Sequence, residues 1–203
     1  MTKTILWDFD GVILDSMRIK GDGFKELFKE YDEADLKKLE EYHYANGGIS
    51  RFDKIRYFYH TVLNKEITED EVSVLAEKFA NIIEKKLFNK DNLISDSVQF
   101  IQKNHKKYHF HIVSGAEHQE LNNLCEHFGL SQYFISIDGS PIKKEVLVQN
   151  ILKKYDYDLT ETILIGDAIT DYDAAMKNNI GFYGYNNEAL KKYDYIESFK
   201  EFD

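Results

Sequence analysis

Short apolar runs alternate with amphipathic helical patterns along most of the chain. Most of these runs end at Asp, Ser or Gly, which is typical of strands buried on both faces of a sheet. The predicted strands are Thr4–Trp7, Phe110–Val113, Phe134–Ile137, Ile163–Ile165 and Gly181–Tyr185. The predicted helices between them are Ser97–Lys106, Glu117–Phe128, Glu145–Tyr155 and Tyr172–Asn178. This alternation predicts an α/β fold, a Rossmann-like parallel sheet with helices on both faces.

Residues 17–91 break the alternation, because they contain several helical patterns in succession and no predicted strand. Thr68 and Glu71 have the spacing of a capping box in front of one of these helices. We therefore predict a catalytic core of residues 1–16 and 92–203, with a helical cap of residues 17–91 inserted after the first strand. Ligands of open α/β sheets bind outside the carboxyl ends of the strands, so this cap would overhang the site.

Composition narrows the function classes. The chain has 203 residues, 43% of them hydrophobic, which suits a globular protein with a sizeable core. Its 26 Lys and Arg against 36 Asp and Glu leave a net charge of −10, which disfavours nucleic acid and anionic membranes as partners. There is no apolar run of about 18 residues and no signal-peptide pattern. The single cysteine, Cys125, excludes an intrachain disulfide, so we expect a cytoplasmic protein.

Acidic and small polar residues follow the predicted strands. They are Asp8, Asp10, Ser114, Asp167 and Asp171, together with Lys143 and Lys144 at the start of a helix. Each residue alone is an ordinary helix cap, turn former or solvated side chain. Together they predict a site at one edge of the sheet, where several carboxylates need a cation. Oxygen ligands favour Mg²⁺.

Four segments carry a family resemblance. WDFDGVILDS at 7–16, IVSGA at 112–116, GSPIKKE at 139–145 and ILIGDAITDYDAA at 163–175 resemble, in order, the four motifs of the haloacid dehalogenase superfamily of phosphohydrolases. The inserted helices resemble the cap of its phosphoglycolate phosphatase and β-phosphoglucomutase branch. The resemblance therefore implies chemistry on a phosphoryl group.

The resemblance also implies roles for the carboxylates. Asp8 would attack phosphorus and form an aspartyl phosphate. Mg²⁺ would be held by Asp8, the backbone carbonyl of Asp10 and Asp167. Asp10 would protonate the leaving oxygen and then deprotonate the attacking water. A phosphate ester is the expected substrate, because an oxygen leaving group needs this proton.

The remaining core roles belong to a serine, a lysine and a supporting acid. Ser114 would donate a hydrogen bond to the transferring phosphoryl group, a lysine would add positive charge, and Asp171 would orient the metal site or that lysine. Helical spacing favours Lys144 over Lys143, because the residues one and two turns further on are apolar and would face inward. Those residues are Val148, Ile151 and Leu152. Lys143 stays the alternative.

Two of the three arginines lie in the segment NGGISRFDKIRYFYH of the predicted cap. A glycine pair forms loops that approach ligands closely, and guanidinium groups bind carboxylates or phosphates. The candidate substrate contacts are Gly47, Gly48, Arg51, Lys54 and Arg56. The alternative is that the three cations line the solvated face of a helix.

These observations lead to a functional hypothesis. We expect a Mg²⁺-dependent phosphatase acting on a small phosphorylated metabolite through an aspartyl phosphate, as a monomer or weak homo-oligomer. A phosphosugar mutase of the same fold would instead pass the phosphoryl group back to a sugar hydroxyl. A non-catalytic, phosphometabolite-binding regulatory protein is the alternative of another class. Release of inorganic phosphate distinguishes the first from the other two.

Overall fold

A six-stranded parallel sheet forms the centre of the molecule. The structure, a computed structural model, describes residues 2–202. The strands are β1 (Thr4–Trp7), β2 (His109–Glu117), β3 (Ser136–Ser140), β4 (Thr162–Gly166), β5 (Gly181–Tyr185) and β6 (Tyr195–Ile196). Their spatial order is β3-β2-β1-β4-β5-β6, so β1 lies between β2 and β4. This order brings the residues after β1, β2 and β4 to the middle of the sheet's carboxyl edge.

Apolar residues cover both faces of the sheet. Ile5 and Trp7 of β1 contribute to one hydrophobic cluster and Leu6 to another, because successive strand residues point to opposite faces. Two helices of the core, α5 (Ser95–Asn104) and α6 (His118–His127), bury apolar residues in the first cluster. Two others, α7 (Lys144–Tyr155) and α8 (Ile169–Lys177), do so in the second. The predicted Rossmann-like fold with helices on both faces is confirmed.

Four helices lie between β1 and α5. They are α1 (Met17–Leu27), α2 (Glu33–Ala45), α3 (Arg51–Tyr57) and α4 (Glu69–Leu87), with a short π-helical extension of α3 at Phe58–Val62. Aromatic rings pack between them, with Phe24 stacked on Phe79 at a centroid distance of 4.2 Å. The capping box is confirmed at the start of α4: Thr68 accepts a hydrogen bond from the Glu71 N–H, and Glu71 accepts one from the Thr68 N–H.

The two chain connections between the sheet and this helical segment lie side by side. The Asp15 N–H donates to the Asn92 carbonyl at 2.8 Å, and the Ile94 N–H donates to the Ile13 carbonyl at 2.9 Å. These bonds tie the two connections together at the base of the segment. The division into a core and a cap at residues 17 and 91 stays a prediction.

The observed elements differ from the predicted ones mainly in the residues at which they begin and end. β1 and β5 have the predicted bounds. β2 runs through Ser114 and Gly115, and β3 through Asp138 and Gly139, which the sequence pattern placed after these strands. The register between β2 and β3 is irregular, so hydrogen bonding between them rather than local propensity sets their ends. The two-residue β6 is too short for a periodic signal and was missed.

Two further expectations concern the whole chain. Within residues 2–202, the structure contains no helix with the length and apolarity needed to cross a membrane. Cys125 is buried in α6, and burial raises the pKa of its thiol to about 12. This cysteine is therefore a core residue with an unreactive thiol.

Candidate active site

The register of the central strands explains why the acidic residues meet. Trp7 of β1 is level with Ile112 of β2 and with Ile165 of β4. Asp8 follows Trp7 directly, and its backbone N–H donates to the Ile165 carbonyl at 2.9 Å. Asp167 follows β4 directly and lies one residue beyond the level of Asp8, so the two aspartates leave neighbouring strands close together.

Three carboxylates converge at this edge. One oxygen from each of Asp8, Asp167 and Asp171 lies within 4.8 Å of the others. Two glycines permit this approach. A Cβ on Gly11, whose φ is +77°, would lie 1.9 Å from Asp167 Oδ2, and one on Gly166 would lie 2.3 Å from Asp171 Cβ. The glycines of the DxDG and GD motifs are therefore needed to make room for the acids.

The carboxylates strongly affect one another. Burial, followed by the charge of Asp171, raises the pKa of Asp8 to about 7, although Lys144 opposes the shift. Burial, followed by the charge of Asp8, raises the pKa of Asp167 well above its ordinary value. Several buried carboxylates this close are fully ionised only when further positive charge joins them. The cluster is thus suited to bind a cation.

Lys144 supplies one positive charge. Its Nζ lies 2.8 Å from Asp8 Oδ1 and also forms an ion pair with Asp171. Burial alone would lower the pKa of Lys144, but the charges of Asp171 and Asp8 outweigh it and raise that pKa above its ordinary value. Lys143 is the exposed N-cap residue of α7. The choice of Lys144 thus agrees with the geometry. The expected inner helix face, Val148, Ile151 and Leu152, is buried below it, together with Leu147.

Asp167 and Asp171 have different surroundings. Both oxygens of Asp171 accept hydrogen bonds, Oδ1 from Lys144 and Oδ2 from the Ala168 N–H at 3.0 Å. Asp167 Oδ1 is buried and has no hydrogen-bond partner within residues 2–202. A buried carboxylate oxygen without a donor fits a metal ligand, and a set of aspartate oxygens is the set preferred by Mg²⁺. The site residues therefore fit the expected ion.

Asp10 faces the helical segment. Its carboxylate accepts hydrogen bonds from Ser16 Oγ and Lys20 Nζ, and all three residues are buried. Burial alone would raise the pKa of Asp10, but the nearby Lys20 ammonium and these hydrogen bonds lower it overall. Asp10 is therefore ionised in this arrangement. Sequence analysis did not identify Lys20, whose only signal was its place on the same α1 face as Phe24.

Ser114 is completely buried beyond the level of Trp7, and its Oγ accepts a hydrogen bond from the Ala116 N–H at 3.1 Å. The following residue, Gly115, touches the loop between α2 and α3. A Cβ on Gly115 would lie 2.3 Å from the carbonyl oxygen of Gly48. The predicted glycine pair therefore lies directly over the second motif of the core.

The three predicted cations of α3 have different partners. Arg51 is buried, forms an ion pair with Glu120 of α6 and lies over the ring of Phe79 at 5.2 Å. Arg56 forms ion pairs with Asp53 at 2.9 Å and Glu69 at 2.6 Å on the outer side of the segment.

Lys54 is buried, and its Nζ is 3.0 Å from His43 Nδ1. Both arginines are already neutralised by carboxylates, whereas the partner of Lys54 is an imidazole.

Three cavities border the glycine loop, and the third, of about 320 Å³, is lined by Gly47 and Asp167 among other residues. An open cleft of about 380 Å³ is lined by Gly48, Gly115 and Lys144, among other residues. The second cavity, which we call the inner chamber, has a volume of about 20 Å³. Its lining includes Asp10, Lys20, His43, Gly47, Lys54 and Gly115. The loop therefore separates a solvent-facing cleft on the Lys144 side from a small charged chamber on the Asp10 side.

Solved structures of known proteins share this fold. β-Phosphoglucomutase from Clostridium difficile is 21% identical, with a TM-score of 0.78 over 100% of this chain and 94% of that one. A predicted phosphoglycolate phosphatase from Haemophilus somnus 129pt is 17% identical, with a TM-score of 0.72 over 98% and 95%. Magnesium-bound YfnB from Bacillus subtilis is 17% identical, with a TM-score of 0.69 over 98% and 96%.

The family is established by sequence. No curated protein shows a significant match to the chain. The family model of haloacid dehalogenase-like hydrolases, in contrast, matches residues 5–185, which include all the carboxylates of the site. With its four motifs brought together at the carboxyl edge of the sheet, this chain belongs to the haloacid dehalogenase-like hydrolase family.

Proposed function

We propose that the protein is a Mg²⁺-dependent phosphatase that hydrolyses a small phosphate monoester through an aspartyl phosphate on Asp8. The observation that supports this most is the buried arrangement around Asp8, with Lys144 Nζ at 2.8 Å and carboxylate oxygens of Asp167 and Asp171 nearby. A nucleophilic carboxylate in contact with a fixed ammonium and a cation-binding set is suited to attack an anionic phosphoryl group.

In the first step, a carboxylate oxygen of Asp8 bonds to phosphorus while the bond from phosphorus to the ester oxygen breaks. The leaving oxygen keeps the bonding electron pair and takes a proton from Asp10. Two donors, the Phe9 N–H at 2.8 Å and Lys144, hold Asp8 Oδ1 and so orient the carboxylate. Asp10 is ionised beside Lys20 in the free protein, so it takes up one proton from solvent before the first step, and the second step supplies the proton for the next cycle.

In the second step, water attacks phosphorus, the aspartyl bond breaks and inorganic phosphate leaves. Asp10 takes the proton of the water, which suits the ionised state that Lys20 maintains. Ser114, in the second half of β2, and the neighbouring backbone N–H groups would donate hydrogen bonds to the phosphoryl oxygens. Both steps use the same groups in reverse roles, and Asp8 is regenerated.

The metal ion would be held by Asp8, Asp167 and the backbone carbonyl of Asp10. When bound, Mg²⁺ neutralises charge on the nucleophile and the phosphoryl oxygens. Asp171 holds Lys144 and the Ala168 N–H, so its role is to position that lysine.

The proposal also covers the substrate, the cellular compartment and the assembly of the enzyme. We expect the partner to be a small phosphorylated metabolite rather than a nucleic acid, in line with the net charge of −10. A reducing cytoplasm is consistent with the single buried cysteine. A monomer or weak homo-oligomer is the expected assembly.

The test is phosphate release from a panel of phosphorylated sugars, short hydroxy acids, glycerol and nucleotides. We expect release with Mg²⁺, loss in EDTA and recovery when Mg²⁺ is restored. Asp8→Asn should abolish turnover while keeping the fold, because the amide has the same shape without nucleophilicity. Asp10→Asn should slow turnover by about 10² to 10⁴.

Three outcomes would contradict this proposal. Asp8→Asn with full activity would exclude the nucleophile, and undiminished rates in EDTA would exclude the metal. Isomer interconversion without net phosphate release would identify a phosphosugar mutase instead.

A further inference from the structure

The Lys54 ammonium is buried without a carboxylate partner. Lys54 is 3% exposed, and within residues 2–202 its one hydrogen-bond partner is the His43 imidazole. The other two cations of the inner chamber are neutralised, Lys20 by Asp10 and Arg51 by Glu120. A buried ammonium without a carboxylate partner is unfavourable, so it indicates an anion that is bound in the working state.

His43 determines where the ammonium points. His43 Nε2 lies 2.9 Å from the Met17 carbonyl, which only accepts, so Nε2 carries the imidazole proton. His43 Nδ1 is then an acceptor for Lys54. Burial, followed by the charge of Lys54, lowers the pKa of His43 to about 3, which keeps the ring neutral. One proton of the Lys54 ammonium is thus used, and the others are available to a ligand in the chamber.

The electrostatics of Lys54 agree with a missing anion. Burial, followed by the charge of Lys20, lowers the pKa of Lys54 to about 7, although the charges of Asp10, Asp167 and Asp8 oppose the shift. An anion in direct contact with the ammonium would oppose it further. The chamber walls include the rings of Phe24 and Phe79, which lower the local dielectric and strengthen a charge pair.

The chamber lies on the leaving-group side of the site. Asp10, the proposed proton donor to the leaving oxygen, lines it, whereas Asp8, Lys144 and Asp167 do not. An anion next to Lys54 therefore belongs to the alcohol part of the substrate and not to the transferring phosphoryl group. The small volume of about 20 Å³ favours the more compact anionic group, a planar carboxylate, over a second, tetrahedral phosphate group.

We propose that Lys54, held by His43, binds a carboxylate on the leaving group, so that the preferred substrates are compact phosphorylated hydroxy acids. This inference rests on the proposed phosphatase function. The carboxylate would accept hydrogen bonds from the Lys54 ammonium in a chamber closed by Gly47 and Gly115. Arg51, already paired with Glu120, does not take this role.

The experiment compares matched ester pairs with and without the carboxylate. Phosphoglycolate is paired with hydroxyethyl phosphate, and phosphoglycerate with glycerol phosphate. In the wild type, we expect kcat/KM to be at least about tenfold higher for the acid of at least one pair. Lys54→Met should lower kcat/KM for that acid at least about tenfold and for its neutral partner less than about threefold.

Lys78→Met is the matched control, since it removes the charge of an exposed lysine on α4 beside Phe79. This variant should leave kcat/KM unchanged for both esters of the pair. Lys54→Met should also unfold at the same temperature as the wild type or higher, because it replaces an unpaired buried charge by an apolar side chain of similar length. A clearly lower unfolding temperature with equal losses on both esters would assign Lys54 a structural role and overturn the proposal.

A binding measurement separates this inference from the proposed function. Glycolate and ethylene glycol, which differ by the carboxylate, are titrated in a thermal-shift assay without any phosphate ester. Glycolate should raise the unfolding temperature of the wild type but not that of Lys54→Met. Ethylene glycol should raise the unfolding temperature of neither protein. If no phosphate were released but glycolate still stabilised only the wild type, the proposed phosphatase function alone would be refuted. Phosphate release without acid preference and without glycolate binding would refute only the carboxylate site.

Discussion

Lys144 holds the positive charge nearest to the proposed nucleophile. It bridges Asp8 and Asp171, and its ammonium is the cation that offsets the buried carboxylate cluster. Asp171, with both oxygens occupied by donors, keeps this ammonium in place. The division of roles among chemically identical aspartates thus follows from which oxygens already have a donor.

Replacing Lys144 with Met should destabilise the metal-free protein, because Asp8, Asp167 and Asp171 lose the ammonium between them. Breaking a buried pair costs about 3 to 5 kcal/mol, or roughly 6 to 20 °C in Tm for a chain of this size. The loss should be larger at alkaline pH, where the carboxylates cannot reduce their repulsion by taking up protons. Thermal unfolding with EDTA at several pH values measures this loss of stability. Added Mg²⁺ should restore part of it.

Lys143→Met provides the comparison for stability, since this neighbouring lysine is exposed. Its Tm should stay within about 2 °C of the wild type, the usual range for a surface substitution. If both variants lost the same stability, the buried ion pair would not be the cause.

At the scale of elements, the loop between α2 and α3 closes the site. Gly48 of this loop meets Gly115 of β2 backbone to backbone. The two chain connections at the base of the segment are hydrogen-bonded to each other at Asp15–Asn92 and Ile94–Ile13. Because both connections lie at one end, we expect the segment to move as a unit when the glycine contact is made or broken.

Gly115→Ala should therefore impair closure more than folding. Its Cβ would lie 2.3 Å from the Gly48 carbonyl oxygen, a backbone atom that can retreat only if the loop moves. We expect kcat/KM for the best substrate to fall at least about tenfold, while the free energy of unfolding changes by less than about 2 kcal/mol. Steady-state kinetics and denaturant unfolding measure the two quantities.

Gly181→Ala tests the specificity of that effect, because Gly181 opens β5 at the end of the sheet away from the site. Its Cβ would lie 3.0 Å from Ile163 Cγ2, a side-chain atom, so we expect kcat/KM to fall by less than about threefold. Wild-type activity in Gly115→Ala would show that the glycine contact is absent from the active form.

At the scale of the whole molecule, acid sensitivity follows from histidines buried in neutral form. His111 is fully buried, with Nδ1 2.9 Å from Ser136 Oγ and Nε2 3.0 Å from the Tyr157 hydroxyl. Burial is the main cause that lowers its pKa from 6.5 to about 4. The unfolded chain then binds a proton at a higher pH than the folded one does. The stability contributed by neutral His111 is complete above pH 6.5 and declines as the pH falls towards 4.

His111→Gln should flatten this part of the pH–stability profile, since Gln keeps hydrogen-bonding groups and does not titrate. A shift from 6.5 to about 4 corresponds to about 3 kcal/mol lost by the wild type across that window. Urea unfolding at pH 7, 5.5 and 4 compares the two proteins, with their difference at pH 7 as the baseline. Parallel profiles would show that His111 does not cause the acid sensitivity.

The sequence by itself determined the fold class, the order of the motifs and the core carboxylates. Strand and helix periodicity are local, so β1, β5 and the Thr68 capping box could be placed from neighbouring residues. The inward face of α7 even distinguished Lys144 from Lys143, because a helix places every third or fourth residue on one side.

Only the tertiary structure decided which charges are neutralised. Arg51 and Glu120 are distant in sequence and meet because α3 lies over the core, while Lys20 reaches Asp10 from α1. No local pattern encodes such pairs, since a side chain's partner depends on how whole elements pack. The same packing gives Lys54 an imidazole instead of a carboxylate as its hydrogen-bond partner, in a chamber that Asp10 also lines.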